Sequence, residues 1–166
     1  GRDTTGDAKY DFLDIGVGLN VQTAGAYTVT GDLIGANNPE AGYLASAQGG
    51  AVLSSGSQSI TLSFDGRQLR QRRVSGPYAL VNLGIYNAAG ERVAFASAPY
   101  TTTTAYPYTA FQPGLAELTG VYSDAGVDTN GNGKYDALRL SAGVNVLITG
   151  AYNLVATLYD SQSAPI

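Results

Sequence analysis

From Leu13 to Val21 every second residue is apolar: Leu13, Ile15, Val17, Leu19 and Val21, with Asp14, Gly16, Gly18 and Asn20 between them. Side chains alternate across a strand with period two, so the row predicts a half-buried strand with one wet face. Thr23-Ala24-Gly25 turns the chain, and Tyr27, Val29 and Leu33 resume the alternation. The two runs predict an antiparallel hairpin. Asn37-Asn38-Pro39 with Gly42 marks a loop, and residues 43–53 predict a short strand interrupted at Gly49-Gly50. Ile60, Leu62 and Phe64 alternate cleanly as a strand. Another opens at Gly76-Pro77-Tyr78 and runs through Leu80, Leu83 and Ile85, where the slip in phase after Leu80 predicts a bulge. Asn87–Gly90 turns tightly into Val93 and Phe95. Residues 67–73 read as one polar, helix-like turn, and residues 99–113, with three prolines, as an extended edge or linker. No amphipathic helix is evident. Short strands with frequent turns predict an all-β, antiparallel β-sandwich, immunoglobulin-like or similar.

The pattern repeats. Shifted by 125 residues, positions 3–30 match positions 128–155 at 13 of 28 sites, including Lys9-Tyr10-Asp11 with Lys134-Tyr135-Asp136 and Gly25-Ala26-Tyr27 with Gly150-Ala151-Tyr152. The second copy has its own apolar row, Leu138, Leu140, Ala142, Val144 and Val146, followed by Tyr152, Leu154, Ala156 and Leu158, read as a second hairpin. One module over 1–121 and the opening of a second over 122–166 follow, an arrangement of long units with separate cores. An isolated hairpin is marginal in water, so Leu138, Leu140, Val144, Val146, Tyr152 and Leu154 are the candidate assembly surface, head-to-tail with another copy.

Each copy begins with an oxygen-rich loop. In the second, Asp128, Asn130, Asn132 and Asp136 fall at loop positions 1, 3, 5 and 9, Lys134 at position 7 would offer its backbone carbonyl, and Gly133 stands at the sharp turn. Short oxygen-bearing side chains at alternate positions suit Ca²⁺, which takes six to eight oxygens at roughly 2.3–2.6 Å. Position 12 is Arg139 where an EF-hand has a bidentate Glu, so affinity is expected to be modest unless Asp124 or Glu117 adds a carboxylate. The first loop, Asp3, Thr5, Asp7, Lys9 and Asp11, is degenerate, with Thr5 for Asn130 and Ala8 for Gly133. An Asp/Asn/Gly turn without any metal is the plainer reading of both loops.

Tyr122-Ser123-Asp124 leading into Val127–Asp136, the Gly-Ala-Tyr turn and Gly76-Pro77-Tyr78-x-Leu80 resemble a tandem β-sandwich repeat module of secreted and surface proteins of archaea and bacteria. The loop by itself looks like dockerin and thrombospondin-type calcium loops. The resemblance implies an extracellular or cell-surface setting and no particular activity.

Composition narrows the choice. Charged residues make up 13% of the chain, about half the usual share. A net charge of −4 argues against nucleic acid, and the Arg67, Arg70, Arg72 and Arg73 cluster reads as a solvated turn, with a contact to an acidic patch of a neighbouring module as the alternative. No apolar run approaches the roughly 20 residues of a membrane span. With no His and no Cys, the commonest general base and the thiol nucleophile are missing, which argues against an enzyme. Twelve tyrosines raise carbohydrate stacking. Tyr10, Tyr27, Tyr78, Tyr135 and Tyr152 lie in phase with strands or flank them, which leaves Tyr100, Tyr106 and Tyr108 as the candidates for external contact. The leading expectation is a structural repeat of a surface filament, stalk or adhesin with calcium-stiffened junctions. The alternative is an accessory carbohydrate-binding module of a secreted hydrolase.

Overall fold

The computed structural model describes residues 1–165, which divide into two compact units, the first Gly1–Gly114 and the second from Leu115 onward. The regular secondary structure is nearly all strand, with one short helix, as the alternation predicts. In the first unit β1 (Phe12–Val21) pairs antiparallel with β4 (Gly56–Asp65). A second sheet has the order β3 (Asn38–Leu53), β2 (Gly25–Gly35), β5 (Tyr78–Asn87), β6 (Arg92–Ala96), with the short β7 (Thr101–Thr102) also on β5. The apolar faces of the two sheets meet. Val17, Val29, Leu33, Leu62, Phe64 and Leu80 are fully buried together, and the partly buried Leu19 and Ile85 pack against them. Among the described residues no helix is long and apolar enough to cross a membrane.

β1 and β2 are not a hairpin. β1 bonds to β4 in one sheet, while β2 bonds to β3 and β5 in the other, so residues 22–24 cross between layers. Both arrangements bury the same side chains. Periodicity reports which face is apolar and is silent on which strand lies alongside.

β3 is likewise one unbroken strand of 16 residues where an interruption was expected. Gly49 serves close approach: a Cβ there would lie 2.5 Å from the Thr61 carbonyl of β4. Pro39 fits because β3 is an edge strand, where one missing N–H costs no ladder bond. The predicted bulge in β5 is present at Asn82, which takes φ 51° as the pairing slips from Val81 opposite Asp32 to Gly84 opposite Thr30.

Two segments read as polar or irregular contribute to the core. Gly66–Arg72 forms a helix, α1, capped by Asp65 accepting from the Arg67 N–H, and it buries Leu69 completely. In the stretch expected to be an edge or linker, β7 is indeed an edge pairing, but Phe111 is fully buried against Tyr10, Tyr78 and Tyr106. Arg70 secures that return by donating to the Thr109 carbonyl at 2.9 Å, so the arginine cluster is more than a solvated turn.

In the second unit β8 (Ala116–Val127) and β9 (Ala137–Val146) form a two-stranded antiparallel sheet. β9 therefore pairs with the strand before its loop and not with residues 152–158, which form no strand. The reason matches that for β1: the apolar row recurs after residue 150, but backbone partners are chosen by the surrounding layers.

Candidate calcium loops and open strand edges

Residues 128–136 connect β8 to β9, with Val127 opposite Ala137. The side chain of Asp128 organises this connection. One carboxylate oxygen accepts from the N–H groups of Asn130 at 3.2 Å and Gly131 at 2.8 Å, the other from Gly133 at 2.8 Å. Asn130 and Asn132 each accept from the N–H two residues on, Asn132 and Lys134 respectively. Asp136 closes the far end by accepting from the N–H of Thr129 at 2.8 Å, from its hydroxyl, and from the Asn130 side-chain amide at 3.2 Å. Gly131 and Gly133 take φ 73° and 77°, the left-handed region that bends the loop around these acceptors.

The first loop reproduces most of the network, with the Thr5 hydroxyl donating to Asp3 where Asn130 bridges to Asp136. Asp3 accepts from Thr5, Gly6 and Ala8, and Asp7 from the Lys9 N–H. Asp11 accepts from the N–H and hydroxyl of Thr4. Here the chain before the loop meets β1 through the Arg2–Phe12 bridge, as Val127 meets Ala137. The aromatic supports correspond too. A Cβ on Gly1 would strike the Tyr10 ring, and one on Gly126 the Tyr135 ring. Loop 1 is tied further, since Lys9 Nζ donates to the Thr109 carbonyl at 3.0 Å.

These bonds set the electrostatics. The N–H of Gly6 does most to hold Asp3 below the ordinary carboxylate range, and that of Gly133 does the same for Asp128. Asp11 and Asp136 are lowered chiefly by the hydroxyls of Thr4 and Thr129. Neutral donors do most of this, with the Arg67 charge adding to them at Asp11.

The donor set is oxygen only, which fits a hard cation. Asp128, Asn130, Asn132 and Asp136 and the Lys134 carbonyl would hold it in loop 2, and Asp3, Thr5, Asp7 and Asp11 and the Lys9 carbonyl in loop 1. Among the described residues no three His, Cys, Asp or Glu stand together as a metal cluster, so Asp124 and Glu117 do not complete a carboxylate cage.

The expected assembly residues lie exposed in the second unit: Leu138, Leu140, Val144 and Val146 are 42–53% accessible, and Tyr152 and Leu154 are also open. Ala116, Leu118, Val144, Val146, Tyr152 and Leu154 line an apolar groove of about 340 Å³. β8 supplies Ala116, Glu117 and Leu118 to that groove. The sequence reading had missed this strand, whose register shift at Gly120 blurs its alternation. Of the tyrosines proposed for external contact, Tyr106 packs edge-on to Tyr10 at 5.8 Å, Tyr108 is half-buried, and Tyr100 is exposed.

Residues 3–95 match the family described as "Domain of unknown function (DUF4785) C-terminal domain". The matched stretch opens on the first residue of loop 1 and closes in β6. No curated protein and no solved structure matches the chain.

Proposed function

The chain belongs to the DUF4785 C-terminal domain family, whose description carries no activity, and we propose from its geometry that it is an extracellular structural repeat, a module of a surface filament, stalk or adhesin. One observation carries the reading: the chain holds the same loop-and-strand unit twice, with the Asp-centred hydrogen-bond network of the first loop repeated in the second. Because the two units are homologous, contact of the second with another chain's first unit is heterologous and does not close, the geometry that builds fibres. Calcium would brace each unit internally by bridging oxygens of its loop, since loop 2 lies between β8 and β9 within the second unit and not at the junction the sequence suggested. A surface low in charge and a chain without Cys, Met, Trp or His suit an exposed setting. The carbohydrate-binding alternative now rests on Tyr100 and Tyr108, since the Tyr106 ring is engaged.

Sedimentation and electron microscopy of the 166-residue chain test the reading. Concentration-dependent linear assemblies are expected, and the double variant Leu140→Asp, Val144→Asp should lose them. A chain that stays monomeric at high concentration overturns the proposal.

A further inference from the structure

Two asparagines of the chain precede a glycine, Asn130-Gly131 and Asn132-Gly133, and both pairs lie in loop 2. All four residues are exposed. Every other asparagine precedes a residue with a side chain. An Asn-Gly pair is the one best suited to attack its own side chain, because without a Cβ the following residue lets its nitrogen swing onto the carboxamide carbon. In that reaction the glycine nitrogen bonds to the asparagine Cγ and the Cγ–Nδ2 bond breaks. Nδ2 leaves as ammonia, taking up through solvent the proton that the glycine N–H gives up. Water then opens the resulting succinimide. Attack at the side-chain carbonyl leaves aspartate, and attack at the backbone carbonyl leaves isoaspartate, in which the chain runs through Cβ and Cγ.

One carboxylate guards both glycine nitrogens. The N–H of Gly131 donates to one oxygen of Asp128 at 2.8 Å and that of Gly133 to the other at 2.8 Å. The nitrogen attacks only once its proton is gone, and an anion bonded to that proton opposes the second negative charge that its removal creates. Asp128 stays ionised, because the same N–H groups hold it below the ordinary carboxylate range.

The two carboxamides are held differently. Asn130 is fixed at both ends: Oδ1 accepts from the Asn132 N–H at 3.1 Å and Nδ2 donates to Asp136 at 3.2 Å. Asn132 is fixed at one: Oδ1 accepts from the Lys134 N–H at 2.8 Å, and Nδ2 has no partner among the described residues. Turning Cγ toward the next nitrogen breaks two bonds at Asn130 and one at Asn132. The first loop shows that an aspartate fits at the place of Asn132. Asp7 stands there and accepts the Lys9 N–H at 2.9 Å, the same bond that Asn132 makes with Lys134.

We propose that Asn132 is a self-modification site at which loop 2 deamidates, with Asp128 as the guard and Asn130 kept slower by its anchor on Asp136. The aspartyl product adds a negative charge and gives loop 2 the carboxylate pattern of loop 1, where Asp3, Asp7 and Asp11 occupy the corresponding positions. The isoaspartyl product adds a carbon to the backbone and shifts the Lys134 N–H off its acceptor. The site stands independently of the assembly reading.

Peptide mapping by mass spectrometry tests it, following ammonia loss at each asparagine in the full chain at mildly alkaline pH, folded and in guanidinium. Unfolded, the two asparagines should react alike. Folded, both should slow, and Asn132 should run about two- to tenfold ahead of Asn130, the worth of one hydrogen bond. Asp136→Ala should erase that lead, and Asp128→Ala should speed both sites by about tenfold or more, as loss of a bond to a charged group allows. Asn132→Asp should melt with the parent chain. Equal rates at the two asparagines of the folded chain, or no loss at Asn132 while the unfolded chain reacts, overturn the site. A folded chain as fast as the unfolded one, or an unchanged rate in Asp128→Ala, overturns the guard. A lead that survives Asp136→Ala overturns the anchor, and a lower melting point for Asn132→Asp overturns the fit of the aspartyl product.

Discussion

Asp3 accepts a 3.0 Å hydrogen bond from the N–H of Ala8, an L-residue held at φ 64°. In the second loop Asp128 accepts the equivalent bond from Gly133, which takes the same conformation without a Cβ. The left-handed conformation costs an L-residue about 1–2 kcal/mol, which exceeds the chain entropy that glycine loses. Ala8→Gly should therefore stabilise the first unit by about 0.5 kcal/mol, and Gly133→Ala should weaken its loop by a similar amount. Urea unfolding of the two variants checks the opposite signs, and a destabilised Ala8→Gly would refute the account.

Calcium is expected to raise the melting temperature, because a ligand that binds only the native state stabilises it by mass action, about 2.7 kcal/mol at a hundredfold excess over Kd. Asp128→Ala should remove most of the increment, since Asp128 is both ligand candidate and loop organiser. Melting with calcium and with chelator decides the matter. Midpoints indifferent to both would dispose of the site.

Acid should loosen the loops. The folded pKa values of Asp3, Asp11, Asp128 and Asp136 lie below the ordinary 3.8. Carboxylates depressed by folding stabilise fully above their unfolded value and lose that contribution as pH falls through the folded one. The loss should thus begin below about pH 4. Thr129→Val removes the hydroxyl that does most to lower Asp136 and should raise its titration midpoint. Carboxyl NMR titration reads both effects, and an unmoved Asp136 midpoint would show the hydroxyl to be irrelevant.

Phe64 is fully buried between the sheets, so Phe64→Ala should cost the first unit about 3–5 kcal/mol. Gly49→Ala drives a methyl against the Thr61 backbone, which cannot rotate away as a side chain would, and should cost about 1–3 kcal/mol. Denaturant unfolding measures both. A loss under about 1 kcal/mol for Phe64→Ala would place that residue outside the core.

The alternation of Leu13 to Val21 and Ile60 to Phe64 determined by itself that these segments are strands and which of their faces are buried, because period two is a local property of the strand. Identity between residues 3–30 and 128–155 likewise determined that two loops share one design, while the gathering of backbone N–H groups by Asp3 and Asp128 came only with the structure. Only tertiary structure decided which strands pair. β1 turns to β4 and not to the adjacent β2, and β9 turns back to β8, because ladder bonds are made by backbone groups that every residue carries. Tertiary structure also gave Phe111 its place in the core and explained Gly49 and Gly143 as points of close approach. Those roles depend on neighbours distant along the chain: Thr61 from β4 for Gly49, Thr119 from β8 for Gly143, and Tyr10 and Tyr78 for Phe111. A sequence pattern records a residue's own polarity and spacing, and nothing local in it encodes what will stand opposite.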